Sequence, residues 1–419
     1  MIRELILKDF KSFSGPAGLI RFGPFSVLIG TNASGKSNIR DALRFVHGVS
    51  RGYALSEIIG EKYIEGGVLQ WKGIRGGVRE TVTRNGDPSK AEFTITVRTT
   101  LPENDGGGLA TYAIAVNVGD KTRPPAVANE SLEIRGKGVF QVRPIRMGNG
   151  FVFFPFEDTG IPSQSPLFLR SDRPALTQLP EHKETSEGVK TDGNAFVRTI
   201  SSIRFLDLDP NSLRRPSIPG QTILGDKGEN LSSVLQAVCA DPVGKEALID
   251  WTRELTPLDI VDLKFPEVSL GGQVQLQLVE QGGREISAES ASDGTLRFLA
   301  FAAAVLGTDP AQCYFFEEVE NGIHPNRVHL LVNLLQKATR DRNVQVIGTT
   351  HSPALLSFLD EAALGDASLV YRAGPVSRVR ALGDIPALRQ LPPGTPAGEL
   401  LSSGWFEDIA AFMESEAGE

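Results

Sequence analysis

Two glycines, a lysine and a serine form the densest concentration of chemistry in this chain: the run FSVLIGTNASGKSN, Phe25 to Asn38, contains the pattern GxxxxGK[ST]. A loop of that form turns backbone N–H groups toward the β- and γ-phosphates of a nucleoside triphosphate. Lys36 neutralises their charge and the Ser37 hydroxyl can ligate Mg²⁺. Asn32, Ser34 and Asn38 share the loop, and with Gly30, Gly35, Lys36 and Ser37 they make the candidate phosphate-binding set. A plain glycine turn between strand and helix would read the same as a string. The context favours the cradle, because VLI precedes it and SNIRDALRFV follows with Ile39, Leu43 and Val46 at helical spacing. That helix directs its positive N-terminal dipole at the same anion.

Three further strings bear on the same chemistry. In AQCYFFEEVENGIHP an apolar strand, Cys313 to Phe316, ends in Glu317 and Glu318, a Walker B arrangement. The first acid orients the Mg²⁺ shell and the second holds or deprotonates an attacking water. Two carboxylates at one strand end are costly without a compensating metal, which favours this reading over a solvated acidic turn. In NVQVIGTTHSP another apolar strand ends in Thr349, Thr350 and His351, where an imidazole could reach a γ-phosphate. In SASDGTLRFLAFAAAVL, Ser292 and Gly294 stand at the mouth of a helix with an apolar face at Leu296, Leu299, Ala300 and Ala303. Such a mouth can bind phosphate, but taken alone Ser292 or Asp293 as a simple N-cap is the better reading.

The elements that must position these residues are legible in outline. Residues 1–65 read as an N-terminal half with the phosphate loop. Residues 66–156 alternate apolar and polar through VLQW, ETVTRN, AEFTITVRTT, TYAIAVNVG, ESLEIRG and GVFQVRP, as an antiparallel β-lobe does. Residues 157–195 read as a mobile loop, 196–285 as a helical and strand connector, 286–375 as the C-terminal half, and 376–419 as a tail. The 419 residues are 40% hydrophobic and 22% charged, the composition of a soluble protein with a substantial core. No apolar run reaches the roughly 20 residues of a membrane crossing, and the N-terminus is not a signal peptide, so a cytoplasmic protein is expected. Cys239 and Cys313 read as buried thiols rather than as a disulfide or zinc site. The net charge of −8 does not advertise a nucleic-acid surface, and the local clusters Arg204, Arg214, Arg215 and Arg143, Arg146 read more readily as solvated faces or carboxylate partners. No apolar heptad persists for a long coiled coil.

Taken in order, phosphate loop, SDGT helix, EE strand and TTH strand resemble the ABC-type ATPase head of the RecF/OLD/SMC-like group, most nearly its compact stand-alone AAA_21-type members. The likeness runs from Met1 to about Leu356. It implies an α/β P-loop NTPase fold with a β-lobe, a helical lobe and no long coiled coil. It further implies ATP and Mg²⁺ as cofactors, with Lys36 and Ser37 on phosphate and metal, Glu317 beside the metal, Glu318 polarising the hydrolytic water and His351 as a switch residue. Ser292 and Gly294 become signature residues that meet the γ-phosphate held by a second subunit, so a homodimer or a larger assembly of dimers is implied. Asn321 falls where a contact across that dimer is expected, and Gln70 is a candidate for the Q-loop glutamine. Two departures stand out: Glu317 replaces the usual Asp, and Val319 the usual Pro. The resemblance suggests the ATPase subunit of a prokaryotic anti-phage or toxin-type system with a separate nuclease or toxin effector. A RecF-like repair factor that clamps DNA is the alternative; a membrane-transporter motor is disfavoured by the absence of an LSGGQ-like signature.

Overall fold

The computed structural model describes residues 1–15, 18–83, 91–119, 123–147, 150–155, 168–256, 259–268 and 271–385. The strand Phe25–Ile29, buried at every position, lies inside a six-stranded sheet between the parallel strands Gln345–Thr350 and Ser368–Ala373. Cys313–Phe316 and Ile203–Leu206 extend the sheet in parallel on one side, and Val376–Ala381 closes the other edge antiparallel. Runs such as FSVLI and CYFF are buried at every position because such strands are covered on both faces. Phe25, Val27 and Ile29 enter one hydrophobic cluster and Leu28 the other, as the two-residue period of a strand requires. Parallel strands end on a common side. Gly30, Glu317 and His351 therefore emerge along one sheet edge.

The helix Lys36–Ser50 presents Ile39, Leu43 and Val46 to the cluster it shares with a seven-stranded antiparallel sheet. The strand order in that sheet is Gly150–Pro155, Lys137–Met147, Ala126–Ile134, Leu109–Asn117, Glu92–Thr100, Ile2–Lys8, Gly18–Arg21. The expected β-lobe thus extends beyond 66–156, because the N-terminal strand pair completes it. Leu5 faces Val97 and Leu7 faces Ile95, so the buried alternation runs through the join. The segment VLQW lies outside this sheet, pairing with Lys62–Ile64 in a two-stranded hairpin, and ETVTRN begins as the last turn of a short helix, Gly77–Thr81.

On the other face of the parallel sheet lies Asp293–Leu306. Its residues Phe298 to Val305 are all buried, so this is a central helix and not one with a single apolar face. Helices Leu231–Cys239 and Pro242–Leu255 and a small sheet of Ile260–Lys264, Gln277–Glu280 and Glu285–Ser287 surround it. Residues 157–195, expected to be loop, hold the short helix Ala175–Gln178 and the start of Glu187–Ser201, whose Val189, Ala195, Phe196 and Ile200 are buried. Ser186 caps that helix, accepting from Val189 N. Residues 156–167 and 386–419 lie outside the described residues. The expected tail loses its first part to the parallel sheet, since Val376–Ala381 is a full strand. Among the described residues no helix exceeds 15 residues and none is long and apolar enough to cross a membrane. Cys313 is buried as expected; Cys239 is only half-buried.

Two buried polar side chains join the parts. Gln345, wholly buried, donates to Ile2 O (2.7 Å) and Gly23 O (2.8 Å) and accepts from Ile2 N (2.8 Å), stitching one sheet to the other. Glu130 of the β-lobe accepts from Ala175 N (2.6 Å), Leu176 N (2.8 Å) and the Tyr112 hydroxyl (2.9 Å). Burial raises its carboxyl from the usual 4.5 to about 7, although the three donors pull the other way. Between those pH values the folded chain binds more protons than the unfolded one, so stability falls as pH rises from about 4.5 to 7. Glu130→Gln places an NH₂ group against a backbone N–H and is expected to cost about 1–3 kcal/mol. Denaturant unfolding across that pH range should show a flatter slope for the variant; equal slopes would remove Glu130 as the origin of the pH dependence.

Candidate active site

Gly30 and Gly35 are required for different reasons. A Cβ on Gly30 would lie 2.1 Å from the carbonyl oxygen of Val370 on the neighbouring strand. Gly35 has φ 121°, which side-chain-bearing residues rarely adopt, and a Cβ there would lie 2.5 Å from Ser377 Oγ. The loop is also gripped from outside by a chain of hydroxyls. Asn38 Nδ2 donates to Ser12 Oγ (2.6 Å), Ser12 Oγ and Ser377 Oγ share a hydrogen bond of 2.6 Å, and Ser377 Oγ donates to Ser34 O (2.6 Å). Ser377 N donates to Ser12 O (2.8 Å). Ser12 and Ser377 carry no motif of their own and were missed in the sequence; only proximity in the fold marks them.

Lys36, Ser37, Asn38, Asn32, Ser34 and Gly35 line a concavity of about 640 Å³ together with Glu317, Glu318 and Asn321. Lys36 Nζ donates to Gly30 O and to Thr31 O (2.9 Å). Burial lowers its pKa, opposed by the charges of Glu318 and Glu320. Glu317 is raised chiefly by burial, against the pull of Arg40, whose Nη1 lies 3.2 Å from Glu317 Oε2. Glu318 stands in the left-handed region at φ 47°, held there by its N–H donating to Thr349 Oγ1 (3.0 Å); Asn321 Nδ2 donates to Glu318 Oε2 (3.2 Å). Lys11 and Arg75, which also line the concavity, pair with the buried Asp41. Gln70 sits exposed on the separate hairpin and is not part of the lining.

The donors fit a magnesium ion bound together with phosphate. The Ser37 hydroxyl and the half-buried Glu317 carboxylate are hard oxygen ligands on one concavity. Among the described residues no group of three or more His, Cys, Asp or Glu could hold a metal unaided. Phosphate oxygens would have to complete the shell.

The remaining candidates stand apart. His351 is half-exposed and outside the lining; its N–H donates to Glu320 Oε1 (3.2 Å) and its Nδ1 lies 3.9 Å from the same oxygen. Ser292 caps its helix by accepting from Thr295 N (3.2 Å). With Gly294 it lines a second concavity of about 1000 Å³ walled by Leu255, Leu278, Ile286 and Ile323. A Cβ on Gly294 would lie 2.6 Å from Gly322 O, so glycine is needed there for close packing. Arg297, which lines the first concavity, donates to Asn321 O (2.9 Å) and Leu208 O (2.8 Å), and Arg214 donates to Ala291 O (3.0 Å) and pairs with Asp293. Arg214 is thus a carboxylate partner, one of the two readings open to it in the sequence. Arg297 was missed, although it lies three residues after Gly294 on the same helix face.

The backbone at Glu318 stores strain, which leads to a contrast between two variants. Glu318→Gly is expected to raise the unfolding free energy by about 1 kcal/mol by relieving the left-handed conformation. Thr349→Val, which removes the acceptor for Glu318 N, should lower it by about 1–2 kcal/mol. Urea titrations of both would check this, and a less stable glycine variant would show that Glu318 is not strained.

Comparison with known proteins sets this geometry in context. Residues 25–97 and 156–357 match the profile of a family described as "AAA domain, putative AbiEii toxin, Type IV TA system". An "ATP/GTP phosphatase" of Helicobacter pylori (strain ATCC 700392 / 26695) is 31% identical over 164 residues, 38% of this chain and 43% of that protein. A chromosome partition protein Smc of Halothermothrix orenii is 40% identical over 63 residues, 14% of this chain and 5% of that protein. The chain spans less than half the length of these relatives. A solved SMC head bound to the C-winged helix domain of ScpA superposes with a TM-score of 0.54 at 15% identity, covering 93% of this chain and 99% of that one, which shows the fold. Since the profile spans more than half of the chain and includes the phosphate loop and the Glu317, Glu318 strand end, the protein belongs to this AAA-domain family of P-loop ATPases, built on an SMC-head-like fold.

Proposed function

We propose that the protein binds ATP with Mg²⁺ and hydrolyses it at sites shared between two copies of the chain. The observation that carries this reading is the separation of the phosphate-loop concavity from the Ser292 and Gly294 concavity on the same molecule. A second copy, turned about a two-fold axis, would set its own helix mouth against the first copy's triphosphate. In this reading the loop N–H groups and Lys36 bind the β- and γ-phosphates, while Ser37 and Glu317 hold the metal. A Mg²⁺ ion held by these two residues would supply positive charge to offset that developing on the departing ADP. Glu318 orients a water for in-line attack on the γ-phosphorus and accepts its proton as the bond to the β-phosphate oxygen breaks. Asn321 steadies Glu318, and His351 acts as a switch that leaves Glu320 for the γ-phosphate when the dimer closes.

At the level of the cell we propose an ATP-driven cytoplasmic switch in a prokaryotic anti-phage or toxin-type system, with a nuclease or toxin as separate effector. The family description supports this role. A co-purifying effector would favour it, whereas salt-dependent DNA binding by the isolated protein would favour a RecF-like DNA clamp.

Three variants test the shared site. Glu318→Gln should retain ATP and accumulate dimer, and Lys36→Ala should lose ATP binding. Ser292→Arg should bind ATP without turnover. An equimolar mixture of Lys36→Ala and Ser292→Arg should recover about a quarter of wild-type ATPase, because half the dimers are mixed and each holds one intact site. A mixture as inactive as its parts would count against sharing.

A further inference from the structure

We propose that Arg40 is a positioning residue for Glu317: a built-in counter-cation that fixes the carboxylate at the rim of the concavity and sets its appetite for a divalent ion. This rests on the reading of Glu317 as the metal-side acid. Arg40 follows Ser37 by three positions on the helix Lys36–Ser50, so the two project from one face, and the guanidinium reaches the strand end without leaving the helix surface. The pair is largely withdrawn from water, with side chains 13% and 22% exposed, and Nη1 lies 3.2 Å from Oε2. Desolvated pairs of this kind are far more strongly coupled than surface ones.

Arg40 Nε is buried and finds no hydrogen-bond partner among the described residues. The ion pair of the guanidinium is made instead through Nη1, to Glu317. One turn later on the same face Arg44 is also largely buried, its guanidinium 4.8 Å from the Trp71 ring centre. The like charges of Arg40 and Arg44, four residues apart, are offset by the acids around them, Glu317 against Arg40 and Asp226 near both. Glutamate is one methylene longer than the aspartate usual at this strand end, which gives the carboxylate the length to meet a guanidinium from the next element.

The consequence is competition by charge. While Arg40 neutralises Glu317, the protein alone should bind a free divalent ion weakly, and phosphate must bring the metal in. The test is Mn²⁺ binding to nucleotide-free protein, by titration and by thermal unfolding in EDTA and in MnCl₂, for wild type, Arg40→Met and Arg40→Lys. Arg40→Met should melt lower in EDTA, regain that loss in MnCl₂, and bind Mn²⁺ about tenfold more tightly than wild type. Arg40→Lys, which keeps the charge, should behave as wild type does. Equal Mn²⁺ affinity in wild type and Arg40→Met, or an equal shift in both variants, would overturn the proposal.

If Arg40→Met fails to fold, the double variant Arg40→Met, Glu317→Gln decides. Recovery of folding once the unpaired acid is gone supports the pairing, and no recovery overturns it. ATP binding, followed separately through Lys36→Ala, reports on the proposed function, so either idea can fail alone.

Discussion

The phosphate loop keeps its shape because it is wedged between backbone and hydroxyl groups that come from opposite ends of the described chain. Val370 O leaves no room for a side chain at residue 30, Ser377 Oγ none at residue 35, and Ser12 ties Asn38 to Ser377. A loop rich in backbone N–H groups pointing one way is intrinsically unfavourable, since those dipoles repel and their desolvated donors need partners. Confinement from outside makes the conformation available before any anion arrives, which is what preorganisation means in energetic terms. The parallel sheet, the N-terminal strand pair and the closing antiparallel strand all meet at this wedge.

A second constraint follows from burying charge beside that loop. Lys36, Arg40 and Arg44 descend one helix from the concavity, and Glu317, Glu318 and Glu320 oppose them from the segment after the strand Cys313–Phe316. Burial raises Glu317 and lowers Lys36, so each group is displaced toward neutrality. Such a region is costly for stability and useful for chemistry, because small changes in nearby charge move protons and side chains there. The left-handed backbone at Glu318 adds conformational strain at the same point.

Much of this was legible in the sequence, and the gaps have physical causes. The GxxxxGKS string, the acid pair and the strand preceding each were readable because they combine local geometry with uninterrupted apolar runs. Ser12, Val370 and Ser377 were not, being common residue types whose importance comes from contacts across the fold. The β-lobe was mis-bounded since Ile2–Lys8 looks like any edge strand until its register with Glu92–Thr100 is known. Residues 187–195 concealed the first part of a helix behind Gly188, Gly193 and several polar residues, weak helix formers that burial of Val189 and Ala195 overrides, whereas its remainder was read as helix. Arg40 was the near miss. Its helical spacing from Ser37 was visible, but its partner lies 277 positions away.

The contact of Gly294 with the Gly322 backbone has a mechanical meaning. With no space for even a methyl group between them, the helix mouth and the loop that begins at Asn321 must travel as one body, and Arg297 bolts that body to Leu208 and to Asn321 itself. The wall of the apolar hollow and the loop that carries Asn321, the residue whose amide donates to Glu318, are therefore joined by backbone packing and one guanidinium.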